Sequence, residues 1–480
     1  MIGPWRLGTA VFGFTGACRA AFRPSVHARR MTMDRRVLSI AVVLLVVLSV
    51  ALAACAAPTT PKPQPAAATQ APAKTEPTAA PKPAAADAPV ELTLTMWGSQ
   101  LDVDTYTKRA ELVHKKYPNI TIKVIHVPTD YAQKVQTMIA GGTAPDIMEF
   151  AEDVHVYSAK GQIIPLDEYV KKYDVDVKSR FAPAMIDWFT YQGKLYAMPD
   201  RAGAMIVYYN KAMFDKAGVK YPSNGWTWQD FLDAAKKLTI RDASGKVTQY
   251  GFANISWWPY WMSMVYQNGG RMLDANGKPV MNSPQNIEAI RWYNDLVYVH
   301  KVSPSPEDYA NMGNPGPDQL FAQKKLAMEW TGFWNLQSLK DVPDLDWDIA
   351  PLPRNKQGGV PVFGNGLAIS KQCKNPEAAF RAIEFMTSLE GQMPIVESFE
   401  DAPANLQAQS STAFLKPFPN KSINMGAFKE SADALFAPFH PKWNEIMKIV
   451  DDNLSEVWLN KKDVKVALDK IQADLTELLK

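Results

Sequence analysis

Met138-Ile139-Ala140-Gly141-Gly142-Thr143-Ala144-Pro145-Asp146-Ile147-Met148 reads as a helix end, a break and a strand start. Two consecutive glycines stop a helix. Upstream, Tyr131, Val135, Met138 and Ile139 recur at helical spacing. Before them Ile120, Ile122 and Val124 alternate with polar residues, as on a strand, and Pro118-Asn119 ends a preceding helix carrying Tyr106, Ala110, Val113 and Tyr117. Leu92, Leu94 and Met96 alternate again. Strands alternating with helices predict an α/β lobe with a largely parallel sheet.

The same grammar continues downstream. Met205 to Tyr209 reads as a strand, and Thr227-Trp228-Gln229-Asp230 as a helix cap with Phe231, Ala235 and Leu238 on one face. Asn375-Pro376-Glu377 reads as a capping Asn, a Pro at the first helical position and an acid at the positive end of the dipole. A last helix carries Val464, Leu468, Ile471, Leu475 and Leu478. The 480 residues suffice for two lobes with separate cores, and the 47% hydrophobic and 21% charged content is that of a globular body. A net charge of +3 without a basic stripe argues against a nucleic-acid partner.

The first 89 residues have a different composition. Arg35-Arg36 precedes an apolar run from Val37 to Ala53, and Leu52-Ala53-Ala54-Cys55 closes it. A positive flank, an apolar stretch and small residues form the layout of a secretory signal. The ending looks like a bacterial lipobox, in which cleavage leaves Cys55 as an acylated first residue. As a membrane-spanning helix the run is short for a hydrocarbon core of about 30 Å. Residues 1–54 are therefore read as leader and signal peptide, with Met31 or Met33 as an alternative start. Residues 55–89 are rich in Ala, Pro and Thr and lack aromatic residues, which suits a semi-rigid spacer. Of the three cysteines, only Cys373 falls in the body, so no disulfide framework is expected. It is either a reactive thiol or an incidental small residue.

Four segments in order resemble the family 1 extracellular solute-binding proteins of ABC importers, the group that includes maltose-binding protein. They are the opening stretch; Leu195-Tyr196-Ala197-Met198-Pro199 with Val207-Tyr208-Tyr209-Asn210-Lys211; Lys325-Leu326-Ala327-Met328 with Gly332-Phe333-Trp334; and Phe363-Gly364-Asn365-Gly366-Leu367-Ala368-Ile369-Ser370. The resemblance spans Val90 to Lys480. It implies a two-lobed periplasmic-binding-protein-like fold of type II, with the ligand cleft between the lobes. The first lobe takes 90–200 and 364–430, and the second takes 201–363 and 431–480. It also implies a monomeric receptor that captures a carbohydrate, a di- or oligosaccharide, by hinge closure and delivers it to a membrane permease. No cofactor, metal or catalysis is implied.

Candidate ligand residues follow from chemistry and from that resemblance. Indole faces suit the C–H faces of sugars. Trp257-Trp258-Pro259-Tyr260-Trp261 is the densest aromatic cluster, read either as a core patch or as a cleft wall. The resemblance points to Trp334 as a stacking residue and to Asp153 as a hydroxyl-binding acid. It places Phe150 where maltose-binding protein has tryptophan, a departure that weighs against a maltose-like ligand. Trp97 lies in an expected loop. Gln100 and Asp102 follow the first strand and serve either the cleft or a solvated loop. Asp200-Arg201 either grips hydroxyls or forms an interlobe ion pair. Gly364, Asn365 and Gly366 permit close backbone approach to a ligand or form a tight turn.

Three other readings compete. A polyol or glycerol-phosphate solute would want convergent basic groups, and Arg201, Arg271 and Arg354 are scattered. A structural surface lipoprotein would bind no solute. A secreted glycoside hydrolase needs carboxylates roughly 5–9.5 Å apart across a bond, and Glu149, Glu152 and Asp153 in one segment do not make that pair. No catalytic motif, P-loop or dinucleotide fingerprint is present.

Overall fold

The computed structural model describes residues 88–361, 363–418, 421–428, 435–436 and 440–480. The leader, the Cys55 anchor and nearly all of the spacer lie outside the described residues. Among those described, no helix is long and apolar enough to cross a membrane.

The elements that place the site begin with β1 (Val90–Met96), α1 (Gln100–Lys116), β2 (Ile120–His126), α2 (Tyr131–Ala140) and β3 (Ile147–Phe150). Next come β4 (Ala197–Gly203), β5 (Ile206–Asn210), α3 (Trp228–Leu238), α4 (Trp258–Gln267) and α5 (Pro284–Tyr298). Then follow β6 (Met328–Thr331), β7 (Trp347–Pro351), β8 (Phe363–Ile369), α6 (Pro376–Met386) and α7 (Leu389–Ser398). The chain closes on α8 (Trp443–Trp458) and α9 (Val464–Leu478).

Two larger sheets organise these elements. The first has five strands in the order β2-β1-β3-β8-β4, and the second has three in the order β6-β5-β7. The predicted alternation holds in β1, where Leu92, Leu94 and Met96 are fully buried and Glu91 is exposed. α1 covers the sheet with Tyr106, Ala110 and Val113. Parallel pairing, however, extends only over β1–β2 and β1–β3. β8 runs antiparallel to both neighbours, and the second sheet is antiparallel throughout. The expectation of a largely parallel sheet thus holds for the N-terminal βαβαβ segment alone, since strands brought together from distant parts of the chain need no parallel crossover.

The capping expectation for α3 is met in full. The Thr227 hydroxyl accepts from the Asp230 amide, and Asp230 accepts from the Thr227 amide at 2.8 Å. At α6 the expected cap differs. Asn375 makes no side-chain cap bond, Pro376 fixes the first turn, and Glu377 turns outward to Lys172 and Tyr173. The C-terminal helices pack beside α5, with Gln472 accepting from the Met281 amide at 2.7 Å and Trp458 edge-on to Tyr293. Phe414 and Asn424, in the stretch expected with the first lobe, make contacts with residues of the second sheet's side. Phe414 stacks on Phe333 at 5.2 Å, and the Asn424 amide donates to Asp348.

Candidate ligand cleft

Strand direction determines which loops meet. β1 and β3 are parallel, so Trp97 and Ala151–Asp153 emerge at one edge of the first sheet. In the antiparallel register Gly366 pairs with Phe150 and Asn365 with Arg201, which brings the start of β8 and the end of β4 to that same edge. Carboxyl ends of strands are where open α/β sheets bind ligands. Only Ala204 and Met205 separate β4 from β5. Ile206 pairs with Thr331 and with Pro351, so the turn after β6, Gly332-Phe333-Trp334, stands at the adjoining edge of the second sheet.

The first edge is polar and charged. Arg201 is 3% exposed and donates to Asp102 at 2.8 Å, with Glu400 at 3.4 Å and Glu149 at 3.9 Å. Its guanidinium also lies 4.9 Å from the Tyr106 ring centre. Asp102 is anchored by the Ser99 amide and hydroxyl at the start of α1. Glu149 accepts from the Asn365 side chain at 2.6 Å and from the Trp97 amide at 3.2 Å. Beneath it a second pair, Arg109–Asp200, is fully buried.

The second edge is aromatic. Trp257 and Trp334 are 42% and 36% exposed, and their rings lie 6.0 Å apart. The backbone explains the pose of Trp334. A Cβ on Gly332 would fall 2.0 Å from the indole, so only glycine lets the ring fold back there. The Tyr208 hydroxyl fixes the turn by donating to the Gly332 and Phe333 carbonyls at 3.1 and 3.3 Å. The Trp258 indole lies beside the Glu152 carboxylate, and burial, with Glu329 and Asp401 nearby, pushes the Tyr208 hydroxyl up.

Burial governs the titration of these acids. Desolvation pushes Glu149 and Asp401 up to about 7 against the opposing pull of Arg201. Asp153 reaches about 7 through burial and its neighbour Glu152. Glu400 reaches about 8, again from burial only partly offset by Arg201. Asp153 and Asp401 nevertheless keep partial solvent access, as expected for groups on the walls of a confined cleft.

A pH dependence follows. Raised acids hold protons in the fold that the unfolded chain has released above its ordinary carboxyl range, so stability falls as pH rises through the folded values. His155, His300 and His440, lowered by burial, act in the opposite sense up to about 6.5. The ligand-free protein should therefore lose melting temperature between about pH 6.5 and 8. Glu400→Gln should flatten that decline. A profile that rises across this interval in scanning calorimetry would contradict the assignment.

The expected ligand residues divide into four groups. Trp97, Asp153, Arg201, Asn365, Trp257 and Trp334 lie at the facing edges. Phe150 is fully buried with its ring 4.4 Å from Tyr157, and Trp258 is 5% exposed and edge-on to Trp443, so both back the walls. Gln100 bonds Asp104 along an exposed helix face. Gly364 and Gly366 form no turn. They lie within β8, where a Cβ would strike the Arg201 carbonyl oxygen at 2.3 Å and the Phe189 ring at 2.7 Å, so their small size serves strand and ring packing. Glu400 and Asp401 were missed. The only signal was two adjacent acids in Phe399-Glu400-Asp401-Ala402-Pro403, with no periodicity to explain them. Among the described residues no group of side chains is arranged to hold a metal ion.

Comparison with known proteins agrees with this architecture. Residues 98–393 match the bacterial extracellular solute-binding protein family. The arabinooligosaccharide-binding protein of Bacillus subtilis (strain 168) is 28% identical over 312 residues, covering 62% of this chain and 69% of that protein. The ABC substrate-binding protein Lmo0181 of Listeria monocytogenes, solved in complex with cycloalternan, is 30% identical with a TM-score of 0.74. That alignment covers 81% of this chain and 98% of its own. Maltose-bound MalE3 of T. maritima shares the fold with a TM-score of 0.69 at 21% identity, over 81% of this chain and 99% of its own.

Proposed function

Because the chain belongs to the bacterial extracellular solute-binding proteins, we propose that it captures a di- or oligosaccharide in the cleft between its sheets and delivers it to an ABC permease. The observation that carries this reading is the Trp257–Trp334 pair, two half-exposed indoles facing an edge of carboxylates and amides. Stacking faces beside planar polar groups suit a ring with apolar faces and a hydroxyl rim. The arabinooligosaccharide and cycloalternan relatives bind carbohydrates of that kind, which supports extending the class to this chain.

The lobes are assigned to the two sheets, with the crossings at the β4–β5 link, before β8, and between Phe399 and Phe414. Closure about these segments brings the edges together, and it is favourable only if the ligand gains contacts from both. Trp97, Asp153, Arg201 and Asn365 supply one side, and Trp257 and Trp334 the other. The receptor works as a monomer outside the cytoplasm, held to a membrane through acylated Cys55 on the Pro/Ala spacer. A Cys55→Ser chain that still partitions with membranes would overturn the anchor.

A thermal-shift screen against mono-, di- and oligosaccharides, polyols and glycerol phosphates tests the ligand class. A ligand at a hundred times its dissociation constant adds about 2.7 kcal/mol. Stabilisation by a carbohydrate is expected, and stabilisation by glycerol phosphates alone would replace the carbohydrate reading with a phosphate one.

A further inference from the structure

Glu329 is an acid with no part in the site described above. It lies on β6, is 3% exposed, and forms no ion pair among the described residues. A buried acid without a counter-charge costs stability that an apolar side chain of similar size would not. Glu329 accepts a hydrogen bond from the Asn335 side chain at 3.2 Å.

Asn335 follows Trp334 and opens the helical turn Asn335–Leu339. Its side-chain oxygen accepts from the Ser338 hydroxyl at 2.6 Å, so both ends of the amide are held. Asn335 is 5% exposed, and Leu336 and Leu339 are buried beside it. The backbone leaving Trp334 is fixed by these contacts.

The backbone entering Trp334 is fixed from the same face of the sheet. Glu329 and Tyr208 stand directly opposite each other in the antiparallel register of β6 and β5. Side chains so paired project to one side of a sheet. Tyr208 donates to the Gly332 and Phe333 carbonyls, and Glu329 holds Asn335. Phe333 is fully buried and stacks on Phe414. The residues on both sides of Trp334 are therefore tied down, while the indole itself is 36% exposed. A ring on a braced backbone is ordered before the ligand arrives, and less freedom is lost on binding.

We propose that Glu329 and Tyr208 are positioning residues for carbohydrate capture, a cross-strand pair that holds the Trp334 ring in its stacking pose in the ligand-free protein. The inference rests on the carbohydrate reading and deepens it. Both side chains act from beneath the turn, through the backbone and Asn335. Burial, with Asp318 nearby, pushes Glu329 well above the usual carboxylate range, which suits an uncharged acceptor that glutamine can replace.

The test pairs calorimetric titration with fluorine NMR of the whole chain labelled with 5-fluorotryptophan. Trp334→Phe identifies the line to follow, and the probes are maltotriose, arabinotriose and cycloalternan. In the ligand-free parent the Trp334 line should be single and narrow. In Tyr208→Phe and in Glu329→Leu it should broaden or split, while the line of Trp188, bonded to the Ala151 carbonyl, should not move. Affinity for the tightest-binding probe should fall about three- to ten-fold in each variant. Glu329→Gln should recover most of that loss, because its side-chain oxygen still accepts from Asn335. If Glu329→Leu fails to fold, Asn335→Ala breaks the same bond from the other side. A lowered melting temperature with the affinity and the Trp334 line unchanged would overturn the inference and leave the carbohydrate reading standing. Glutamine no better than leucine would overturn the part assigned to Glu329. Silence of the parent towards every probe and the wider sugar panel would overturn the carbohydrate reading and this inference with it.

Discussion

Replacing Trp334 with alanine should abolish carbohydrate binding while leaving the fold intact. The indole is 36% exposed, so its removal opens little of the core. Its neighbours are the bare backbone of Gly332 and the half-exposed Trp257 ring, and the Tyr208 hydroxyl bonds that shape the turn go to main-chain carbonyls that survive the change. The free protein should therefore melt within a few degrees of the parent. Aromatic anchors at binding sites cost roughly 2–4 kcal/mol on truncation, or about 30- to 1,000-fold in affinity. Trp334→Phe should recover part of that loss, because a smaller stacking face remains. Calorimetric titration beside a thermal melt separates the two effects, and unchanged affinity in the alanine variant would remove Trp334 from the site.

Asp200→Ala should destabilise the chain severely. Asp200 accepts from the Tyr106 hydroxyl at 2.9 Å, from Arg109 at 3.0 Å and from Gln392 at 3.1 Å. Both side chains of the Arg109–Asp200 pair are fully buried. Removing the acid leaves a buried guanidinium beside two carbonyls and the Tyr106 ring with no counter-charge, and breaking such a pair from one side costs about 3–5 kcal/mol. The double variant Asp200→Ala with Arg109→Met should recover much of the loss, since no unpaired charge then stays buried. Chemical denaturation of the three proteins checks this. Equal destabilisation in the single and double variants would show that shape, not charge, sets the cost. The pair joins β4 at the crossing to α1, so the first sheet should be the part that fails.

Local order was legible where periodicity and turn chemistry act within a few residues. Gly141-Gly142 does end α2, with Gly141 as the cap, and Ile147 does open β3. Val464, Leu468, Ile471 and Leu475 do form the buried face of α9. Properties set by distant partners were not legible. The antiparallel course of β8 depends on which strands it meets some 160 to 220 residues back. Gly364-Asn365-Gly366 reads as a turn by composition, yet it is strand because β4 and Phe189 press on it from outside.

Within the cleft the sequence pointed to types of residue and not to directions. Trp257 and Trp258 are adjacent, but one is 42% exposed and the other 5%, because Trp257 precedes α4 and Trp258 opens it. Asp200 and Arg201 are adjacent at a bulge in β4, where the strand alternation breaks, and both side chains reach α1. Asp200 pairs inward with Arg109 and Arg201 pairs with Asp102 towards the cleft edge, so the two neighbours belong to separate ion pairs. The acids at positions 400 and 401 stood outside every motif and entered only through their proximity to Arg201.

The central claim is that the facing edges form one carbohydrate site. Calorimetric titration of a sugar panel into the ligand-free chain, repeated with Trp257→Ala and Asp153→Asn, tests it most directly. The account predicts saturable one-to-one binding by at least one carbohydrate, at roughly micromolar affinity or tighter, and a large loss in both variants. Saturable binding that neither variant weakens would contradict it.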